Sequence, residues 1–272
     1  MRSSSAELTP VEVWTKYDAI EARLSAPLSE RMLDLACVGP GMHVLDLATG
    51  RGEPAIRAAR RVGPTGRVLG TDVSADMLTF ARAASGDTPL ELRVVDAQSG
   101  EGLDGAAFDV VTTRWGLMYM PAPARALEQA RRALKPGGVL VAALWAEPER
   151  VAWVTFTRRV LARYCAVPPL DPGPPSACHY ASLSVIARDF SAFTIERIEE
   201  MDVPVIEAAT GAGIAAWCID FGFARLANDL PAADLREFEA DLAREAEALR
   251  DGPMIRLGGV TRIVVARAGI SV

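Results

Sequence analysis

Two segments near the start of the chain carry residues whose types and spacing suit a bound nucleoside. The apolar segment 43–48 runs into Thr49-Gly50-Arg51-Gly52-Glu53, and a helix is predicted to open at Pro54. Glycines in such a turn let the backbone approach a ligand where side chains would block it. A second apolar segment ends at Asp72, 20 positions after Gly52, and an acid there can hold two ribose hydroxyls. The spacing predicts a nucleoside cofactor.

Candidates for a general base are few, because the chain has only two histidines. His43 begins the first apolar segment, on the side away from the strand ends, and is predicted to be structural. His179 follows the proline-rich segment 168–175 and is the predicted base for a reaction that removes a proton, with Tyr119 and Tyr180 as alternatives. No His/Asp/Glu cluster has the spacing of metal ligands, so no metal is expected.

The elements that must position these residues alternate between strands and helices. Apolar runs predict strands at 43–48, 67–71, 91–95, 108–113 and 138–145. Apolar residues three and four positions apart predict helices from Pro54, after a Ser74 cap and over about 123–134. This alternation is typical of a parallel α/β sheet.

After residue 147 the alternation breaks. A mostly helical stretch is predicted at 149–167, a proline-rich loop at 168–175, strands at 192–205 and 261–267, and helices at about 212–228 and 232–250. With 272 residues, half of them apolar, the chain can bury the core of one large domain.

Composition excludes several classes of partner. The net charge is −6 and no basic stripe occurs, so no nucleic-acid partner is expected, since such affinity rests on Lys and Arg contacts to phosphate. The N-terminal residues lack the apolar core of a signal peptide, and the longest apolar run, 139–146, is too short to span a bilayer. Four cysteines without C-x-x-C spacing fit reduced thiols, so we expect a cytoplasmic protein with no membrane partner.

Five segments in a fixed order carry a resemblance to a known family. They are Val44–Glu53, Gly70–Leu78, Val94–Gln98, Phe108–Met118 and Leu134–Gly138. Together they resemble the class I S-adenosylmethionine-dependent methyltransferases, particularly the ubiquinone/menaquinone-biosynthesis-like group that acts on small molecules. The resemblance is close over about 40–147 and looser over the last strands. One glycine turn alone would be weak evidence, whereas five ordered segments are specific.

This resemblance implies the fold and its division along the chain. It implies an α/β fold with a seven-stranded, mostly parallel Rossmann-like sheet and helical lid insertions, the last two strands forming an antiparallel end. We expect a single domain over 1–272. Its expected parts are an N-terminal helical lid (1–36), a donor-binding core (37–147), acceptor-side insertions with the sixth strand (148–258) and a last strand (259–272).

The resemblance also implies S-adenosyl-L-methionine as the cofactor and assigns residues to its methionine end. The residues implied to surround this end are Asp46, Ala48, Gly50 and Gly52. Binding requires that the backbone come close to this end of the cofactor. It also requires an acid that faces the cofactor's cationic groups directly or through water. Arg114 and Trp115, just past the fourth strand, are implied to supply backbone and a wall near the sulfonium. Tyr17, on a helix before the sheet, is implied to cover this end. Helix or core packing also accounts for Tyr17 and Trp115.

Other residues are implied to hold the adenosine end. Asp72 is implied to accept hydrogen bonds from both ribose hydroxyls, with Val73 and Met77 flanking the base. Asp96 is implied to accept from the adenine amino group, with the Ala97 backbone N–H beside the ring. The alternatives are that the two acids are helix or turn caps and that Met77 is ordinary helix core.

A dinucleotide is the competing cofactor. The run Gly50–Ala55 fits the looser G-x-G-x-x-A fingerprint of dehydrogenases. However, pyrophosphate favours a helix N-terminus without an acid, and Glu53 places a negative charge there. An ammonium and a sulfonium suit that charge better. The pair Asp96-Ala97 has no role in the dinucleotide interpretation.

Large apolar side chains outside the core pattern predict the nature of the methyl acceptor. They are Trp14, Trp145, Trp153, Phe156, Tyr164, Trp217, Phe221 and Phe223, together with Met118, Tyr119 and Met120. Pockets for small ligands are mostly apolar, so we expect a hydrophobic small molecule, although core packing also explains these residues. The predicted function is a natural-product tailoring O-, N- or C-methyltransferase, acting as a monomer or homodimer. The alternatives are a respiratory-quinone C-methyltransferase and a relative that binds S-adenosylmethionine without catalysing transfer.

Overall fold

The computed structural model describes residues 10–103, 105, 107–223 and 225–269. Its strands are β1 (His43–Leu47), β2 (Arg67–Asp72), β3 (Leu90–Val94), β4 (Phe108–Arg114), β5 (Leu134–Trp145), β6 (Phe193–Ala208), β7 (Arg250–Asp251) and β8 (Met254–Ala268). Its helices are α1 (Pro10–Leu35), α2 (Ala55–Val62), α3 (Ala75–Ser85), α4 (Pro123–Ala133), α5 (Ala152–Leu161), α6 (Leu183–Asp189), α7 (Gly211–Asp220) and α8 (Ala232–Glu247).

The strands form a mixed sheet in the order β3-β2-β1-β4-β5-β8-β6, with β7 paired to β8. β1 is parallel to β2 and β4, β2 is parallel to β3, and β4 is parallel to β5. β8 runs antiparallel to β5, with Val139 opposite Arg267 and Trp145 opposite Thr261. The expected mostly parallel α/β sheet is confirmed. Within the described ranges, the two-residue β7 adds to the seven strands expected.

β1 is apolar at successive positions because both faces of the sheet are covered there. In β1, Val44 and Leu45 are completely buried and Leu47 nearly so. Asp46 interrupts this run and is also completely buried. A carboxylate among apolar neighbours costs free energy unless it is hydrogen-bonded, so its position marks the end of β1 as unusual.

Helices α2 and α3 form where the sequence predicts helices. α2 buries Ala55, Ile56 and Val62, residues of its predicted apolar face. α3 is capped by Ser74, whose side-chain oxygen accepts a hydrogen bond from the Met77 backbone N–H at 3.3 Å. These helices follow β1 and β2, so their N-termini lie beside the carboxyl ends of those strands.

Contacts divide the described residues into two compact units. The first contains the described residues up to Ser25, with 148–170 and 202–260; the second contains 26–147, 171–201 and the described residues from Thr261. All of β1–β5 therefore belong to the second unit. Residues 26–36 and 171–201, expected within the lid and the insertions, lie in the same unit as the parallel strands.

None of the helices that the structure describes is both long enough and apolar enough to cross a bilayer.

Candidate cofactor-binding site

A strained turn follows β1. Ala48, Gly50 and Gly52 all have positive φ, at 53°, 53° and 107°. The turn is held by hydrogen bonds from the Thr49 N–H to the Thr71 carbonyl at 2.8 Å and from the Gly52 N–H to the Thr49 carbonyl at 2.8 Å. A left-handed conformation is uncommon for an alanine, and such strain concentrates at functional sites.

The two glycines of this turn face different surroundings. A Cβ placed on Gly50 would meet no heavy atom within 4 Å, whereas one placed on Gly52 would lie 2.5 Å from the Ile56 Cδ1. A side chain at Gly52 would therefore have to displace Ile56 of α2, and its φ of 107° itself favours glycine. Gly50 presents bare backbone to open space, as a turn that a ligand approaches must do.

The buried Asp46 side chain is hydrogen-bonded to Thr49 of the turn after β1. Its Oδ2 accepts from the Thr49 hydroxyl at 2.5 Å and its Oδ1 from the Thr112 hydroxyl at 2.6 Å. Burial raises the pKa of Asp46 to about 7, against the lowering effects of these two hydrogen bonds and of the Arg114 charge. Both carboxylate oxygens thus have threonine partners, so the structure connects Asp46 with the turn through Thr49.

Asp72 joins the loops that follow β1 and β2. Its Oδ2 accepts from the Gly50 backbone N–H at 2.9 Å, and its Oδ1 accepts from the Ser74 backbone N–H at 2.9 Å. Each carboxylate oxygen has further lone pairs, so these bonds leave acceptor capacity for ribose hydroxyls. Val73 is 68% exposed, which leaves an apolar side chain next to this carboxylate.

Asp96 and Ala97 follow β3, which pairs with β2. Asp96 is exposed, and its Oδ1 accepts from the backbone N–H of Gln98 at 2.9 Å and from its Nε2 at 3.1 Å. Ala97 is buried, and Met77 on α3 is half-buried. Because β2 and β3 are parallel neighbours, Asp72 and Asp96 follow adjacent strands at one edge of the sheet.

Arg114 ends β4, and Trp115 begins the turn after it. Trp115 has a φ of 55°, and its ring stacks on Trp145 with centroids 4.5 Å apart. The Trp115 Nε1 donates to the Thr261 hydroxyl at 3.1 Å. The Arg114 guanidinium lies 5.1 Å from the centre of the Trp115 ring. Trp115 therefore has the packing role that the alternative interpretation allows, and its ring also forms a wall beside Arg114.

The turns after β1 and β4 touch. A Cβ placed on Gly116 would lie 2.4 Å from the Ala48 Cβ, so only glycine permits this approach. β1 and β4 are parallel, with Asp46 opposite Thr112. The predicted site residues of the turns after β1, β2 and β4 are thus brought together at the carboxyl edge, where such sheets bind ligands.

The predicted general bases lie in surroundings that constrain their chemistry. His179 is 5% exposed, with Nδ1 3.2 Å from the Pro172 carbonyl oxygen and Nε2 3.1 Å from the Asp189 carboxylate. Both neighbours are hydrogen-bond acceptors, to which a ring N–H can donate. Tyr119 is 47% exposed overall, yet burial around its hydroxyl raises its pKa to about 12. Burial also raises the pKa of Tyr180. The role of His179 as a general base stays a prediction.

Tyr17 belongs to the other compact unit, where it lies in a cluster of rings. The ring cluster comprises Trp14, Tyr17, Trp153, Trp217, Phe221 and Phe223, with centroid distances of 4.8 to 5.8 Å between contacting rings. The Tyr17 hydroxyl donates to the Asp220 Oδ2 at 2.6 Å, and the Lys16 Nζ donates to the same oxygen at 2.6 Å. The role of Tyr17 above the cofactor stays a prediction.

Several residues of these sites escape sequence reasoning. Thr49 and Thr112 carry the hydrogen bonds of Asp46, and Asp220 carries those of Tyr17 and Lys16. Gly116 was visible as a glycine after the fourth predicted strand, which is a signal of close backbone approach. No cluster of three or more His, Cys, Asp or Glu side chains that could hold a metal ion occurs among the residues that the structure describes.

Part of the chain is similar to known methyltransferases. Residues 39–158 match a family model described as a methyltransferase domain. The ubiquinone/menaquinone biosynthesis C-methyltransferase of Bordetella avium is 39% identical over 135 residues, which are 47% of this chain and 52% of that protein. Nocamycin O-methyltransferase of Saccharothrix syringae is 37% identical over 127 residues, which are 45% of this chain and 44% of that protein. The chain thus spans about half the length of these curated relatives.

A solved structure agrees at the level of the fold. The crystal structure of a SAM-dependent methyltransferase from Aquifex aeolicus matches with a TM-score of 0.52 at 21% identity. The match covers 68% of this chain and 90% of that chain.

Proposed function

We propose that this chain is a class I S-adenosylmethionine-dependent methyltransferase that transfers the methyl group to a hydrophobic small molecule, because residues 39–158 match a methyltransferase-domain model and a curated C-methyltransferase is 39% identical over 135 residues. The proposed cofactor is S-adenosylmethionine and the proposed enzyme class is methyltransferase, in keeping with the methyltransferase-domain match. We further propose that the acceptor is a natural product, methylated on oxygen, nitrogen or carbon. The bare backbone at Gly50, next to the Asp72 carboxylate, is the observation that carries the proposal.

The residues at the carboxyl edge fit an adenosine. Asp72 would accept from the ribose hydroxyls, while Val73 and Met77 would flank the base. Asp96 would accept from the adenine amino group, and the Ala97 N–H would lie beside the ring. The exposure of the Val73 side chain next to Asp72 supports this assignment, because an apolar group left in water gains from covering an adenine face.

The methionine end is assigned to the turns after β1 and β4. Gly50 would let it approach the backbone, and Asp46 would act through Thr49 to hold that turn in place. Bound there, S-adenosylmethionine supplies a carbon activated by the sulfonium. The protein then needs mainly to align an acceptor atom with that carbon, and positioning alone can contribute roughly 7–11 kcal/mol.

The ring cluster supports a hydrophobic acceptor. Trp14, Trp153, Phe221 and Phe223 are each half-buried, so their rings offer apolar surface that the unit does not completely cover. We propose that this surface takes part in binding an apolar, ring-containing acceptor.

Two other functions are alternatives to methylation of a natural product. The name of the Bordetella avium relative favours a quinone C-methyltransferase, whereas that of the Saccharothrix syringae relative favours the proposed function. A protein that binds the donor without transferring its methyl group is the alternative of a different class. The donor-side residues are compatible with all three.

Incubation with S-adenosylmethionine labelled in its methyl group tests these alternatives. The acceptor panel contains phenols, amines, quinones and apolar polyketides, and extracted products are analysed for label. Label in a phenol, amine or polyketide supports the proposed function, and label only in a quinone ring supports the quinone alternative. Donor binding measured by calorimetry without transfer to any acceptor would favour the non-catalytic relative.

The role of Asp72 is tested by replacing it. Asp72→Ala is expected to weaken binding of S-adenosylhomocysteine at least tenfold, because it removes acceptors for two ribose hydroxyls. Asp76→Ala, which removes an exposed acid four residues later on α3, is the matched control and is expected to bind normally. Calorimetric titration measures both affinities. Unchanged affinity in Asp72→Ala would remove this residue from the site.

A further inference from the structure

The Gln98 side chain joins two loops at the carboxyl edge of the sheet. Gln98 lies in the loop after β3, two residues beyond Asp96, and Ala122 ends the loop between β4 and α4. The Gln98 Nε2 donates to the Asp96 Oδ1 at 3.1 Å, and its Oε1 accepts from the Ala122 backbone N–H at 2.7 Å. Only an amide makes both bonds, because a carboxylate only accepts and an ammonium only donates. All three residues belong to the same compact unit.

Hydrogen bonds fix the orientation of the Asp96 carboxylate. Its Oδ1 accepts from the Gln98 backbone N–H at 2.9 Å as well as from the Gln98 side chain. The Asp96 carbonyl accepts from the Ser99 and Gly100 N–H groups at 3.0 Å and 3.3 Å, so the backbone is held too. Among the described residues, both side-chain bonds of Asp96 go to Oδ1. Oδ2 is therefore the oxygen left to accept from a ligand.

The other end of the Gln98 amide holds the start of α4. Ala122 is the N-cap residue of this helix and has no side-chain oxygen to accept from its first turn, and Pro123 follows it. The Ala122 N–H is bound by Gln98 instead. A ligand that fixes Asp96 would therefore also restrain the loop 115–122 through one side chain.

We propose that Gln98 is a positioning residue for the cofactor and for the loop after β4. It orients the Asp96 carboxylate so that Oδ2 accepts from the adenine amino group, and it transmits this contact to Ala122. The inference rests on the proposed donor site. Gln98 acts through its two neighbours, not by contact with the cofactor. Hydrogen bonds of this kind make modest net contributions, so the expected effect on affinity is about threefold to tenfold.

Two ligands that differ at one position of the base give the first test. S-inosylhomocysteine carries a carbonyl oxygen where S-adenosylhomocysteine carries the amino group, so it cannot donate to Asp96 from that position. Wild type is expected to bind S-adenosylhomocysteine at least tenfold more tightly. Gln98→Ala should weaken S-adenosylhomocysteine about threefold to tenfold and leave S-inosylhomocysteine within twofold of wild type. Calorimetric titration measures the four affinities, and a purely structural role would weaken both ligands equally.

Three further variants make the comparison specific. Gln98→Glu keeps an acceptor for the Ala122 N–H but cannot donate to Asp96, so its ligand ratio should fall as in Gln98→Ala. Adding Gln98→Ala to Asp96→Ala should change the ratio no further, because the two residues act as a unit. Gln129→Ala is the matched control. It removes the glutamine of α4 that packs against Gly100 of the same loop, and it should keep the wild-type ratio.

The Ala122 amide reports the transmission to the loop after β4. Its hydrogen exchange, followed by nuclear magnetic resonance, should slow when S-adenosylhomocysteine binds to wild type, because the bound base holds Asp96 and thereby Gln98. In Gln98→Ala the exchange of this amide should be faster and should not change with ligand. An exchange rate that is the same in free and bound wild type would overturn the transmission.

The outcomes distinguish this inference from the donor site on which it rests. If Gln98→Ala keeps the wild-type ligand ratio, or lowers it further in the Asp96→Ala background, the inference fails while the donor site stands. Equal binding of both ligands by wild type would also overturn it, whereas binding of neither would refute both proposals. Circular dichroism checks that each variant is folded. If neither Gln98 variant is, the two wild-type measurements decide.

Discussion

At the scale of single residues, the buried carboxyl of Asp46 links the pH to the stability of the fold. Burial raises its pKa from 3.8 to about 7. Between pH 3.8 and about 7 the folded protein holds a proton on Asp46 that the unfolded chain has released. The contribution of this proton to stability is therefore full below pH 3.8 and is lost as the pH rises to about 7.

Asp46→Asn cannot ionise and is expected to lack this pH dependence. Thermal unfolding of wild type and Asp46→Asn between about pH 5 and pH 8 measures this pH dependence. The melting temperature of wild type should fall relative to that of the variant as the pH rises. Asp76→Asn, at an exposed position, should follow wild type. A constant difference between wild type and Asp46→Asn across this range would contradict the prediction.

The identities of the candidate residues could be predicted from the sequence, but their partners could not. Asp72 ends an apolar run and Asp96 closely follows one, and that position alone predicts a place at the carboxyl edge of a parallel sheet. The hydroxyl of Thr112 reaches Asp46 across 66 positions of chain. Threonine is ordinary in a buried strand, so nothing local distinguishes this one.

At the scale of elements, the two glycines of the turn after β1 have different surroundings. Gly50 faces open space, whereas Gly52 lies against the Ile56 side chain of α2. Gly50→Ala places a methyl group in open space and strains a left-handed residue, which costs about 1–2 kcal/mol of stability. That methyl group is expected to reduce affinity for S-adenosylhomocysteine at least tenfold, because it occupies the space that the ligand needs.

Gly52→Ala is the matched variant of the same turn. Its methyl group would lie 2.5 Å from the Ile56 side chain, so a larger loss of stability is expected than for Gly50→Ala. Thermal unfolding and calorimetric titration of both variants measure the two effects. Normal ligand binding by a folded Gly50→Ala would show that the ligand does not approach this turn.

The middle of β8 depends on a buried arginine. Arg262 is 3% exposed and donates to the Ala181 carbonyl at 2.7 Å, to Glu200 at 3.2 Å and to Glu147. Arg262→Met removes all of these bonds and is expected to lower the free energy of unfolding by about 2 kcal/mol or more.

Arg267→Met on the same strand is the control for Arg262. Arg267 is exposed and pairs with the exposed Glu196, so its loss should cost less than about 1 kcal/mol. Denaturant unfolding of the two variants gives the comparison. Equal losses would mean that the burial of Arg262 has no energetic consequence.

Element types were predictable from periodicity, whereas some boundaries depend on pairing that the sequence does not display. The Lys135-Pro136-Gly137-Gly138 segment has the composition of a turn, yet β5 already begins at Leu134. Leu134 pairs with Phe108, and an irregularity in the register accommodates the following residues. α7 ends at Asp220, well before the predicted 228, and Gly222 with a φ of 71° follows it.

At the scale of the whole molecule, the division into two units could not be predicted, because it depends on contacts between distant segments. Residues 171–201 were expected among the acceptor-side insertions. Glu199 binds Arg31 of α1 through two hydrogen bonds across 168 positions, and Glu200 binds Arg262 of β8. Acids and arginines in a sequence usually indicate only a solvated surface, so no local pattern distinguishes these pairs.

The unit outside the parallel strands is expected to determine affinity for the acceptor without affecting the donor. Phe221 is half-buried and is in contact with the rings of Trp14, Tyr17, Trp217 and Phe223. Phe221→Ala should raise the KM of an acceptor found by the labelled-methyl panel by up to about tenfold, as for loss of aromatic contacts. Affinity for S-adenosylhomocysteine should stay within twofold of wild type.

Phe238→Ala in the same unit distinguishes acceptor contact from general destabilisation. Phe238 is completely buried on α8 against Tyr164, so its truncation should lower the free energy of unfolding by about 3–5 kcal/mol. At a temperature where this variant is still folded, its acceptor KM should match that of wild type. If both truncations raise the KM equally, the ring cluster acts only by stabilising its unit, and a role in acceptor binding is refuted.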